Sequence, residues 1–131
     1  MKTYNFKRRF ASDLIHDLKL TTIRRRGKIA PPVPGEFIRR YTGMRTKQCE
    51  CLGDRICASV RRFQIDKRGQ VRVNGLKLVN WEVTYLAIGD GFASVQEFLD
   101  FFRIQYRLPF TGWLIRWRAR SKSSTPQHLH D

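Results

Sequence analysis

Between Val71 and Leu78 the chain reads Val-Arg-Val-Asn-Gly-Leu-Lys-Leu. Asn-Gly flanked by alternating apolar residues is the strongest short-range signal for a two-residue β-hairpin. Such a turn fixes the pairing register, and here it sets Arg72 opposite Lys77. Like charges directly opposite each other are unfavourable unless an anion lies close by. A register-locked hairpin in mid-chain commits its neighbourhood to antiparallel sheet, so the surrounding segments are read first as strands.

Several segments fit. Tyr4 to Phe10 mixes aromatic and basic residues as a strand does. Thr21 to Arg24 and Glu36 to Tyr41 are further strands, the second alternating Phe37, Arg39 and Tyr41 against Ile38 and Arg40. Ile56 to Ile65 is a long strand whose pattern slips at Arg61-Arg62, where a bulge is expected. Trp113, Ile115 and Trp117 alternate with Leu114, Arg116 and Arg118 in a last strand, with the two tryptophans facing the core. Two helices are expected. Ala11 to Leu18 is capped by Ser12, with Leu14, Ile15 and Leu18 on one side. Ser94-Val95-Gln96-Glu97 is a capping box, followed by the stripe Val95, Phe98, Leu99, Phe102 and Tyr106. Gly27 to Gly35, with three prolines, is a loop. Many short strands with two main flanking helices imply an α+β fold, a small closed or nearly closed β-barrel.

The 131 residues suit one domain, assigned to residues 1–118, followed by a polar, Ser-rich, aperiodic tail over residues 119–131 that is expected to be disordered. The net charge is +15, and residues 1–72 hold 19 basic and 6 acidic side chains against 7 and 5 in residues 73–131. So one-sided a charge points to a polyanionic partner. No apolar stretch follows the basic N-terminus and no run approaches a membrane span, so neither secretion nor membrane insertion is expected. Cys49, Cys51 and Cys57 are an odd number, which favours reduced thiols in a cytoplasmic setting. Zinc would want four ligands, and only the tail's His128 and His130 could complete the set, so no metal and no cofactor is expected.

The basic residues are not all tail-like. Lys19 to Lys28 carries five cations around Thr21-Thr22-Ile23, which are β-branched and suited to a strand. Arg24, Arg25, Arg26, Lys28, Arg39, Arg40, Arg45 and Lys47 are read as one groove for a nucleic-acid backbone, with Tyr41 stacking on an unpaired base.

In order along the chain, four motifs resemble those of ASCH-domain proteins in the PUA-like superfamily. They are Phe10 to Ile15 with Lys19-x-x-Thr22-Ile23-Arg24; Pro34-Gly35-Glu36 before a strand ending Tyr41-Thr42-Gly43; Asp90-Gly91-Phe92 before the capped helix; and Gly112-Trp113-Leu114-Ile115-x-Trp117. The resemblance spans roughly Tyr4 to Trp117. It implies a PUA-like barrel and a connection to RNA, single-stranded or looped because exposed bases are needed for readout. DNA stays open as a partner, because phosphate contacts do not read the sugar. One branch of the family hydrolyses acetylcytidine, and ribonuclease activity is associated with another. Carried over by position, the amidohydrolase's catalytic lysine and threonine fall on Lys19 and Thr22, and its acidic residue on Asp90. Glu36 stands where the family often has Asp, and Asp90 where the hydrolase has Glu. Each also has a plain structural reading: a lysine at a helix C-terminus, a strand threonine and an Asp-Gly turn former.

Overall fold

Alternation of apolar and polar residues produces strands, and the length of one of them organises the rest. The computed structural model describes residues 1–120. Seven strands, β1 (Lys2–Phe6), β2 (Thr21–Arg25), β3 (Phe37–Thr42), β4 (Glu50–Ile65), β5 (Val71–Val73), β6 (Leu76–Lys77) and β7 (Phe110–Trp117), form one mixed sheet, joined by helices α1 (Ala11–Ile15), α2 (Asn80–Gly89) and α3 (Val95–Gln105). The fold is α+β. No helix among the described residues is long and apolar enough to cross a membrane.

β4 has 16 residues and serves three neighbours: β3 along Glu50–Ile56, β7 from Cys57 onward, and β5 along Phe63–Ile65. A strand several times the usual ~5–6 residues must bend, and two register shifts allow it. One lies between Arg40 and Tyr41 on β3, opposite an extra Leu52, and the other between Cys57 and Ser59. The bulge expected at Arg61-Arg62 is therefore at Cys57/Ser59 instead. Both arginines are merely exposed, because a broken apolar pattern also arises where a strand leaves the core.

The first bulge frees backbone carbonyls from the ladder, and Arg40 satisfies them. Its guanidinium donates to Leu52 O (2.7 Å), Gly53 O (3.2 Å) and Leu14 O of α1 (2.9 Å), and lies 5.6 Å from the Trp117 ring. Arg40 is fully buried. Burial, with Arg55 nearby, pulls its pKa down to about 10.

The Asn-Gly hairpin forms as expected, with Asn74 and Gly75 both at positive φ and Arg72 opposite Lys77. β1 ends at Phe6 instead of continuing to Phe10; Arg8–Phe10 is a 3-10 turn that buries Phe10. α1 is shorter than expected and Ser12 does not cap it. Phe10 holds the cap position, and the chain leaves the helix where Asp17 turns to φ 57° and the Leu18 and Lys19 amides both donate to Asp13 O. Of its apolar side only Leu14 is buried, while Ile15 and Leu18 are exposed. Ser94 does cap α3, accepting from the Glu97 amide at 3.1 Å, while the Glu97 carboxylate accepts from Ala93 rather than Ser94. Phe98 and Phe102 pack on Phe63 and Phe110 to form the core under α3. α2 has no counterpart in the sequence reading, since its apolar residues lie on both faces: Val83 and Ala87 are buried, but Trp81, Tyr85 and Ile88 are exposed. The two main helices are thus α2 and α3. β1 and β2 are not ladder partners, so the sheet does not close; Arg24 Nη2 reaches across from β2 to Asn5 O on β1 at 2.8 Å.

Replacing Arg40 with Ala removes three hydrogen bonds to backbone carbonyls and leaves a void beside Trp117. Urea unfolding of Arg40→Ala is expected to show a loss on the order of 3–5 kcal/mol.

Candidate functional site

The turn that ends α1 delivers Lys19 to the start of β2, and the C-terminal end of α2 delivers Asp90 to the same point. Lys19, Thr22 and Asp90 are all buried, and all three line one cavity of about 240 Å³ at the gap between β1 and β2. Phe6, Phe10, Phe92 and Phe102 form much of its apolar wall, and Lys7 and Gln105 are also at its edge. Lys19 Nζ donates to Asp90 Oδ1 at 2.9 Å and to Asp90 O at 2.7 Å, and lies 4.9 Å from the Phe10 ring centroid. Thr21 Oγ1 donates to the same Oδ1 at 2.6 Å. Gly91, at φ 99°, fits under Phe10 because it has no Cβ; one placed there would lie 2.6 Å from the ring.

Lys19 is therefore not a solvated lysine at a helix end. Burial lowers its pKa below the usual 10.5, against the opposing pull of Asp90. Of the cations after it, Arg24 adds to the lowering. The lysine is engaged by Asp90 and not by Thr22. Thr22 Oγ1 instead accepts from Arg24 Nε at 3.1 Å, which leaves its hydroxyl proton free to donate. No described residue donates to Asp90 Oδ2. Among the described residues, no group of three or more His, Cys, Asp or Glu is placed to hold a metal, and Cys49, Cys51 and Cys57 are free thiols. His128, His130 and most of the expected tail lie outside the described residues.

The nine residues expected to share one groove divide. Arg24 is half-buried, its guanidinium 4.7 Å from the Phe6 ring and 5.0 Å from that of Tyr4. With Arg25 and Lys28 it lines a larger groove of about 610 Å³. Arg25 lies 5.4 Å over Tyr106. Arg26 is exposed beside this run. Arg24 and Tyr106 line both the groove and the cavity, so the two adjoin. The other five are elsewhere. Arg40 is internal, which corrects its assignment to a phosphate contact: alternation identifies a face of a strand, not whether that face is wet. Arg39 forms a two-pronged pair with Asp54 at 2.8 and 3.0 Å. Tyr41 is half-buried on β3, and Arg45 and Lys47 are exposed beyond the end of that strand.

Lys2, Tyr4, Tyr106 and Trp113 also line the groove and were missed as site residues. Trp113 is half-buried, not core, whereas Trp117 is fully buried. The register supplies the reason: Trp113 pairs with Arg24 near the open end of β2. Comparison with known protein families, with curated proteins and with solved structures returns no match.

Two outcomes follow for the buried pair. Asp90→Asn strands a buried ammonium and should cost about 3–5 kcal/mol in denaturant unfolding. The pH dependence has a definite sign. Between the lowered folded pKa of Lys19 and 10.5, the unfolded chain holds more protons than the folded one, so this group's contribution to stability rises with pH. Subtracting the unfolding free energies of Lys19→Met from those of the unmodified chain across alkaline pH should reveal that rise.

Proposed function

We propose that this chain is a PUA-like, ASCH-type RNA-binding protein of the reducing cytoplasm. The seam of its nearly closed barrel, between β1 and β2, is bridged by Arg24 in place of a ladder. A single unpaired base of a single-stranded or looped RNA enters the cavity, and the backbone passes over Lys2, Arg25 and Lys28. The observation that carries this reading is the adjacency of the two hollows through Arg24 and Tyr106. The cavity, at about 240 Å³, is below the ~300 Å³ lower end of pockets for drug-sized ligands, a scale suited to one ring system. Inside it, the Thr22 hydroxyl can donate and Asp90 Oδ2 can accept, which matches the mixed edge of a nucleobase. Outside it, Tyr4, Tyr106 and Trp113 offer surfaces for stacking among cations, as single-strand binders do.

A second reading, hydrolysis of an acetylated nucleoside, is favoured by one observation: burial lowers the proton affinity of Lys19 in the cavity that Thr22 also lines. A neutral amine there would take a proton from the water attacking the acetyl carbonyl and return it to the departing exocyclic amine as the C–N bond breaks, releasing acetate and the free nucleoside. Arginine keeps the charge but cannot act as that base.

Fluorescence anisotropy with matched labelled RNA and DNA single strands at several salt concentrations tests the binding reading. Tight binding with preference for RNA is expected. Arg25→Gln with Lys28→Gln should weaken it and flatten the log–log salt dependence by about 0.7 for each phosphate that is no longer neutralised. Absence of binding at low salt would refute the groove. Acetylcytidine turnover that Lys19→Arg abolishes would establish the second reading.

A further inference from the structure

α2 turns three large side chains outward at i, i+4 and i+7: Trp81, Tyr85 and Ile88, the first two 71% and 79% exposed. Two hollows of about 570 and 230 Å³ flank this face, and they share Thr21, Tyr85, Gly89 and Arg116. The smaller one also holds Arg61. Among the described residues, no carboxylate lines either hollow. Among the described residues, neither Arg61 nor Arg116 enters an ion pair or gives a side-chain hydrogen bond.

The two hollows share no lining residue with the groove. Paired residues of antiparallel strands share a face. Thr22 with Ile115 and Arg24 with Trp113 therefore lie on one face of the β2–β7 ribbon, and Thr21 with Arg116 on the other; Arg25, paired with Gly112 at the end of β2, also falls on that second face but lines neither hollow. Arg61, paired with Leu114, and Ser59, paired with Arg116, join that second face.

We infer that the Trp81/Tyr85 face of α2, with Arg61 and Arg116, is a second contact surface for single-stranded RNA. Bases stack on the two rings, and the arginines take the adjoining phosphates. The inference rests on the reading of the chain as an RNA binder. Charge complementarity selects this occupant. A second copy of the chain would bring two sets of unpaired arginines together with no carboxylate to meet them, whereas a polyanion with π faces satisfies both the rings and the cations. Because the hollows and the groove have no lining residue in common, an RNA must be long to touch both, so the second surface serves long strands more than short ones.

The test uses the full chain and a labelled single-stranded RNA of roughly 15 nucleotides. Trp81→Ala with Tyr85→Ala changes exposed side chains, and circular dichroism confirms that the fold is kept. Loss of affinity by tenfold or more is expected. Arg61→Gln with Arg116→Gln should reduce the log–log salt slope by about 1.4. If the unmodified chain binds and only Arg25→Gln with Lys28→Gln weakens it, this inference falls and the groove stands. If only the Trp81/Tyr85 variant weakens it, the groove falls and this inference stands. No binding by the unmodified chain removes both. A dimer in sedimentation that the Trp81/Tyr85 variant dissolves makes the face a subunit interface and also overturns the inference.

Discussion

The salt bridge between Lys19 and Asp90 joins residues 71 positions apart at a point from which water is almost excluded. Removing two charges from water is costly, and their attraction offsets the cost only if the remaining hydrogen-bonding capacity is met. Here the Asp90 carbonyl and the Thr21 hydroxyl meet much of it. The pair therefore fixes three things at once: where the chain enters β2 after α1, where α2 stops, and the floor of the cavity. The free Asp90 oxygen and the Thr22 hydroxyl are held at defined places because the pair cannot relax without exposing a buried charge.

The large positive charge does not act as a single field. Arg40 is committed to carbonyls that a bulge releases, Arg39 to Asp54, and Arg55 to Asp17. Asp17 shows the same economy from the acidic side. Burial would raise its pKa, yet the Arg120 amide and the Arg55 guanidinium together hold it below the usual value. Cations consumed in this way build the fold. Those left over, among them Arg25 and Lys28 on the groove and Arg61 and Arg116 beside α2, are free to meet a ligand.

Local chemistry was legible where one rule decided the outcome. Asn74-Gly75 set the hairpin and Ser94 set the start of α3. Thr21 to Arg24 was a strand because three β-branched residues stood together. α2 was not legible: periodicity reports the face a helix buries, and α2 turns its largest apolar residues, Trp81, Tyr85 and Ile88, outward. Ser12 failed as a cap because the 3-10 turn before α1 places the cap at Phe10, two residues earlier. The convergence of Lys19, Thr22 and Asp90 was visible only through family resemblance, since nothing local in the sequence brings positions 19 and 90 together. Arg40 and Arg25 look alike in sequence, and only the bulge opposite Arg40 separates an internal strut from a surface cation.

The unpaired edges of β1 and β2 have a consequence beyond the proposed ligand binding. Open strand edges are templates for association between chains. Here the edges are flanked by Lys2, Arg25 and Lys28, so two copies approaching edge to edge meet like charge before any backbone bond can form. The cations suited to a polyanion also act as a guard against self-templating. Because that guard is electrostatic, added salt weakens it just as it weakens the attraction for phosphate.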